Sequence, residues 1–597
     1  MPRVTLIGDI VARDLRVTVA RPSVGWLLSV LCFGAACTGE VGSTDSASPS
    51  TPTMSPPAGT VPDAAPTTPG MTSPSPSNPL GPAPGALPYA PPAPAAAELP
   101  ARVWLLTPEE YGRAVRSVTG KGIDVSDIDP IPDTGVYPNM SRSGVVRVAL
   151  ARQLSEKAAL AVDALTTAEL TALVPCGSLE RSCRDDFVAR IVSRAFRRPA
   201  TDEDKARYTE LFELGAEAEL ELGFRSVIRG LLTSPHFLYR TEVGATADAH
   251  SPAVSLTSHE LGSLLSFSVT GAPPSAALLA AADRGELAEP AKLREHLQAL
   301  MAEPAASERI ASFLVQWLRL HRFEDEVEKF EDVFPGFAAA KAAIFAETTE
   351  FLGAYGTMKG TLSGLLTSPV PSTNAELSAF YRGEPSMPAS GSRIGLLSLG
   401  AVLSKNAKQY LTSPTLRGLF VRDQLLCQHI SLPENFTPPP IEVAEAQVAP
   451  KTTRELYELH AKEAACAGCH SLLDSVGFLF EGFDGAGRMR TTETYRSPTF
   501  TNTAPAPRPI DSTGELLGTD VDGKLGSVAD LAQALAKSNW VRECVARQAF
   551  RFYFGEVESE RGIPPVAAGT AALQGSGALG DLVQALFTTE STTRRVR

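Results

Sequence analysis

The pentapeptide Cys466-Ala467-Gly468-Cys469-His470 constrains this chain more than any other stretch, and Cys-x-x-Cys-His occurs nowhere else in its 597 residues. On a helical turn, residues at i and i+3 project from one face, so two thiols stand together with an imidazole directly after them. That arrangement suits haem c. Cys466 and Cys469 can form thioethers to the porphyrin vinyl groups, and His470 can take the proximal iron position. The motif therefore predicts a helix, a flat cofactor packed beside it, and a compartment where haem is attached.

The N-terminus points to such a compartment. Arg3, Arg13, Arg16 and Arg21 precede an apolar core from Trp26 to Ala36 that is too short to span a bilayer, as in a signal peptide. The core ends in Phe33-Gly34-Ala35-Ala36-Cys37, small residues before a cysteine. Residues 1–37 are thus expected to form a lipoprotein-type signal with lipidation at Cys37; the alternative is a plain secreted chain with Cys37 in a flexible tail. Residues 38–99, rich in Pro, Ser, Thr and Ala, lack the apolar periodicity that offsets chain entropy and read as a disordered linker. The expectation is an exported protein of the cell envelope, an outer-membrane lipoprotein or periplasmic, held to the membrane by a lipid anchor alone.

Export also permits disulfides. Of eight cysteines, Cys32 lies in the signal core, Cys37 is the lipid candidate, and two belong to the haem motif. Four remain. Cys176 and Cys183 flank a short turn and are expected to pair, and Cys427 with Cys544 is expected to join distant segments; buried free thiols are the alternative.

A formal net charge of -13 without a Lys/Arg run excludes a polyanion-gripping surface, so nucleic acid is not an expected partner. The fold class expected is mainly α, a multidomain helical body with small irregular or β insertions. Helical modules are placed at 100–175, 176–245 with the Cys176/Cys183 loop, and 250–370, then a haem-motif module at 390–495 and a C-terminal helical module at 505–597. Thr107-Pro108-Glu109-Glu110 and Thr257-Ser258-His259-Glu260 carry helix-start signals, and Gly120 a stop. One helix is expected from Arg152 to Leu173, and three close the chain, at Val528 to Lys537, Val541 to Phe554 and Leu579 to Phe587. His236, after a proline at a helix end, reads as a packing residue.

Leu106-Thr107-Pro108-Glu109-Glu110-Tyr111, Ala195-Phe196-Arg197-Arg198-Pro199, Ser234-Pro235-His236-Phe237-Leu238-Tyr239-Arg240, Thr412-Ser413-Pro414 with Arg417-Gly418, Cys466 to Arg490, and Cys544-Val545-Ala546-Arg547-Gln548 occur in that order. Together they resemble the planctomycete-type cytochromes, exported bacterial proteins built from an array of domains of unknown function. The resemblance runs from about Arg102 to the end and implies a mostly helical protein with one c-type haem. That family usually reads Asp-Pro after the motif, whereas Asp474 here precedes Ser475, and an aromatic commonly stands where Met489 is.

For the sixth iron position the sequence offers Met489, His460 or His429. Arg488 and Arg490 suit haem propionates, or else pair with Asp484 and Glu481. Zinc is the rival cofactor, because His460, Cys466, Cys469 and His470 form an acceptable ligand set. Two functions follow: a monohaem protein passing electrons to a redox partner or performing haem-dependent redox chemistry, or a surface-tethered scaffold that binds a partner or polymer.

Overall fold

Thr107, Thr201 and Thr257 each begin a helix in the same way. The threonine hydroxyl accepts the backbone N–H three residues on, and the acidic side chain there, Glu110, Asp204 or Glu260, accepts the threonine N–H in return. Such local signals generate the twenty-three α-helices found among the described residues of this computed structural model. The described residues are 99–129, 137, 139, 144–245, 253–371, 374–382, 393–430, 452–461, 464–493, 506–558 and 563–596. The expected signal peptide, its lipid site Cys37 and the linker lie outside them, except Leu99, which pairs in a strand instead of belonging to a linker.

The helices enclose two apolar cores. One gathers side chains from Leu105 to Leu238 plus Phe267, with the Phe224 ring set against Phe187 at 5.0 Å and Phe212 at 4.9 Å. Here the helices Asp202–Ala216 and Leu220–Leu232 pack on each other and on Arg184–Phe196. The larger core joins Leu99 and Tyr137 to residues between Leu256 and Phe587. The helix Ser258–Thr270 is buried at every residue from Glu260 to Thr270. It gives Phe267 to the first core and Leu261, Leu264, Leu265 and Val269 to the second, so the two are continuous through it.

Short strands stitch distant parts together. Leu99–Pro100 runs parallel to Arg594–Val596, which is antiparallel to Ala253–Ser255, and Arg102–Leu105 is antiparallel to Tyr239–Glu242. The Glu242 carboxylate, buried between these sheets, accepts from Arg102 Nε at 3.0 Å and Arg595 Nε at 2.7 Å. The expected helix Arg152 to Leu173 is two helices, Val148–Asp163 and Thr167–Leu173, because Thr166 and Glu169 form a capping box that starts a new one. A helix at Pro564–Gly575 joins the three expected at the C-terminus. Among the described residues no helix is long and apolar enough to cross a membrane.

Cys176 is bonded to Cys183, and Cys427 to Cys544 across a sequence separation of 117. Closing the longer loop removes more entropy from the unfolded chain. Replacing Cys427 and Cys544 by serine is expected to cost about 5 kcal/mol in denaturant unfolding, against about 2.5 kcal/mol for the Cys176/Cys183 pair.

Candidate cofactor site

The Cys-x-x-Cys-His motif lies on the helix Ala464–Gly477, which crosses the helix Pro414–Leu419. Ser413 caps the latter, accepting the Leu416 N–H, and Pro414 occupies its first turn. The crossing is backbone on backbone. A Cβ on Gly418 would stand 1.9 Å from the Leu473 carbonyl oxygen, and one on Gly477 would stand 1.9 Å from that of Pro414. Only glycine at both positions lets the two helices approach so closely.

This contact fixes the motif helix through its last two turns and brings Thr415 beneath it. Asp474 is 3% exposed and lies one turn after His470. Its Oδ2 is 2.7 Å from His470 Nδ1, while its Oδ1 accepts the Thr415 hydroxyl at 2.5 Å. A hydrogen-bonded carboxylate on one ring nitrogen sets the plane and tautomer of an imidazole and raises the basicity of the other nitrogen. Cys469 is half-buried and outside any disulfide, and Ala467, Gly468 and His470 are half-buried too. The side chains of Cys466 and His460 lie outside the described residues.

The loop after the motif folds around Arg417, which is 1% exposed. Its Nη1 donates to the carbonyls of Phe480 and Phe483, both at 2.9 Å, and its Nη2 to that of Asp484 at 2.6 Å. Burial pushes this guanidinium down to about 10, against the pull of the nearby Glu481. Glu481, also buried, accepts from the Thr412 hydroxyl at 2.9 Å and Arg490 Nη2 at 2.8 Å. Asp484 accepts the N–H groups of Ala486 and Arg488 and the Arg488 side chain at 2.7 Å. Arg488 and Arg490 therefore have carboxylate partners within the protein, the second of the two roles their sequence positions allowed.

Of the other expected ligands, Met489 is buried in the larger core, and its N–H donates to the Tyr381 carbonyl at 2.9 Å. His429, 78% exposed, stands 3.2 Å from Asp423 near the Cys427–Cys544 bond. Among the described residues no three His, Cys, Asp or Glu side chains gather where they could hold a metal ion. Asp474 was not singled out from the sequence as a site residue, yet its i, i+4 spacing from His470 signals a shared helical face. Thr415 and Arg417 carry no comparable local signal, since their partners lie 59 to 67 residues away.

The donor set fits a c-type haem: an imidazole oriented by a buried carboxylate, and a thiol outside any disulfide one residue before it. The helix crossing gives a direct test of how the site is held. Gly418→Ala and Gly477→Ala are each expected to lower stability by at least about 2 kcal/mol in chemical unfolding, since overpacking is not relieved by moving a side chain. Gly482→Ala, where a Cβ meets nothing within 4 Å, stays within about 0.5 kcal/mol of the parent.

Comparison with known families matches three separate stretches. Residues 183–242 match PSD5, described as a protein of unknown function (DUF1595), and 256–382 match PSD4, described likewise (DUF1592). Residues 393–493, which contain the crossing helices and the motif, match PSCyt3, a protein of unknown function (DUF1588). No curated protein and no solved structure matches the chain. Over these three stretches the chain is similar to planctomycete cytochrome-like domains whose function is unknown.

Proposed function

We propose that this chain is an exported, envelope-associated redox protein carrying one haem c on the helix Ala464–Gly477, with Cys466 and Cys469 as thioether residues and His470 as proximal ligand. The observation that carries the reading is the Asp474 carboxylate at 2.7 Å from His470 Nδ1, directly behind the only Cys-x-x-Cys-His in the sequence. With Nδ1 committed to Asp474, His470 would hold the iron of a bound haem by its other ring nitrogen. Bound haem supplies a one-electron couple. Thr415 keeps Asp474 in place, and Asp474 holds the imidazole orientation and its electron-rich character, which favours the oxidised state of the couple. Export through residues 1–37 and a lipid on Cys37 complete this reading, because covalent attachment takes place outside the cytoplasm.

Expression with a cytochrome c maturation system tests it. The purified chain is expected to show a Soret band that survives denaturation with the polypeptide, and Cys466→Ser or Cys469→Ser is expected to weaken covalent retention. Asp474→Asn is expected to keep the haem and raise its midpoint potential. A colourless product would reject haem, and metal analysis of that product would then test zinc.

A further inference from the structure

A cavity of about 260 Å³ opens beside the Cys427–Cys544 bond, and Cys427 forms part of its wall. The two sulfurs differ in access. Cys427 is half-buried, whereas Cys544, on the helix Asn539–Phe554, is 1% exposed. Gln548, one turn after Cys544, also lines the cavity, and its Nε2 is 3.6 Å from Cys427 Sγ, which puts that sulfur at the wall. Among the described residues three that are not glycine have positive φ, and two of them, Arg319 at 56° and Cys427 at 51°, border this one cavity. Such backbone is costly for a residue with a side chain and gathers at sites that act. The chain reaches Cys427 through Phe420–Leu425, wound as a π-helix, another local irregularity common at functional sites.

Each sulfur has a neighbour suited to its reduced form. The Gln548 amide is held by its Oε1, which accepts the Tyr137 hydroxyl at 2.9 Å, so its NH2 group stays turned to Cys427 Sγ and can donate to a thiolate there. Cys544 Sγ lies 3.4 Å from the Gln424 carbonyl oxygen, which accepts from a thiol and gives a thiolate nothing. That carbonyl is fixed in turn by Trp317 Nε1 at 2.8 Å. The reduced pair is thus provided for as a reactive Cys427 and a protonated Cys544. The wall also carries two guanidiniums, Arg319 and Arg551, and one carboxylate, Asp423. Asp423 is 3.5 Å from Arg319 Nη2, and Arg551 pairs with Glu558 at 2.6 Å. An approaching thiolate therefore meets no uncompensated negative charge on its way to Cys427.

We propose that Cys427–Cys544 is a thiol–disulfide exchange site that accepts electrons from a dithiol entering at Cys427. One sulfur of the dithiol, as thiolate, attacks Cys427 Sγ; that S–S bond forms as the Cys427–Cys544 bond breaks, and Cys544 leaves with the electron pair and takes a proton from solvent. The second sulfur of the dithiol, deprotonated in its turn, then attacks the first, and Cys427 leaves as the thiolate facing Gln548. Two electrons pass to the protein, which becomes the dithiol, and the reductant departs as a disulfide. A bond that stabilises the fold can still be opened in this way, because exchange needs access to one sulfur and not unfolding.

Reduction kinetics of the full native chain test the proposal, with dithiothreitol and reduced thioredoxin as probes and differential alkylation with peptide mapping to follow each cysteine separately. Opening of Cys427–Cys544 is expected at a rate proportional to the concentration of at least one probe, and the two arms separate a small dithiol from one carried on a protein. A rate that levels off at the unfolding rate of the fold with both probes would overturn the proposal and leave a structural staple. The direction of attack has its own readout. In Cys544→Ser, oxidised glutathione is expected to form a mixed disulfide at Cys427, while in Cys427→Ser the folded chain leaves Cys544 unmodified. Equal modification of the two sulfurs, or preference for Cys544, would refute entry at Cys427.

Discussion

A guanidinium keeps its proton under all ordinary conditions, so an arginine drawn into this protein is best tolerated where the chain brings acceptors to it. Three solutions recur. Arg417 collects carbonyls from one reversing loop, with Glu481 behind it. Arg102 and Arg595 converge on Glu242, joining residues 353 apart in sequence. Arg393 faces Glu347 at 3.2 Å and the Ser398 carbonyl at 2.7 Å, with the Tyr381 ring stacked 3.6 Å from its Cζ and the Tyr381 hydroxyl donating to the same Glu347. Replacing such pairs by apolar residues often leaves stability unchanged, but removing one partner does not, so their main effect is to make alternative arrangements costly.

That logic shapes the motif's surroundings. Turning the carbonyls of Phe480, Phe483 and Asp484 toward one cation reverses the chain and sends Phe480 and Phe483 into the larger core. Arg490 and Arg488 then reach back to Glu481 and Asp484 and close the loop on itself. The motif helix is thus held through Leu473, Asp474 and Gly477, while Cys469 and His470 remain half-buried at its other end. The immobilised part is also the part that orients the imidazole.

Local chemistry made much of the helical fold legible. Capping threonines, Gly120 at φ 79° and the Arg197–Pro199 stop mark helix ends that depend on a few neighbouring residues. The Thr166 capping box was equally readable, but the Ala- and Leu-rich residues on either side hid it. The helix Pro564–Gly575 carries two prolines at its start and a weakly patterned Ala-rich body, so it lacks the apolar stripe that announces its neighbours. The strands Leu99–Pro100 and Arg102–Leu105 are too short to show a period and exist because partners more than a hundred residues away supply hydrogen bonds. At the site, His470 was legible from the motif, whereas Asp474 was not singled out although its helical spacing from His470 marks a shared face. Gly418 and Arg417 were visible as letters without a role, since what they do depends on a loop and helix that the sequence does not place beside them. The two cores likewise cut across the five modules read from composition, because Ser258–Thr270 is buried on all sides and serves both.

The pairing of Leu99–Pro100 with Arg594–Val596 has a mechanical side. Its strands are parallel, and Ala101 adds a bond to the Val596 carbonyl at 2.8 Å. A pull directed along the Leu99–Pro100 strand would load these bonds in shear, all at once, instead of unzipping them singly. The load passes next through Arg595 to Glu242 and Arg102, at the junction of both small sheets. The buried charge cluster thus lies directly behind the first paired strand and would take up such a load, as an anchor plate does under a cable.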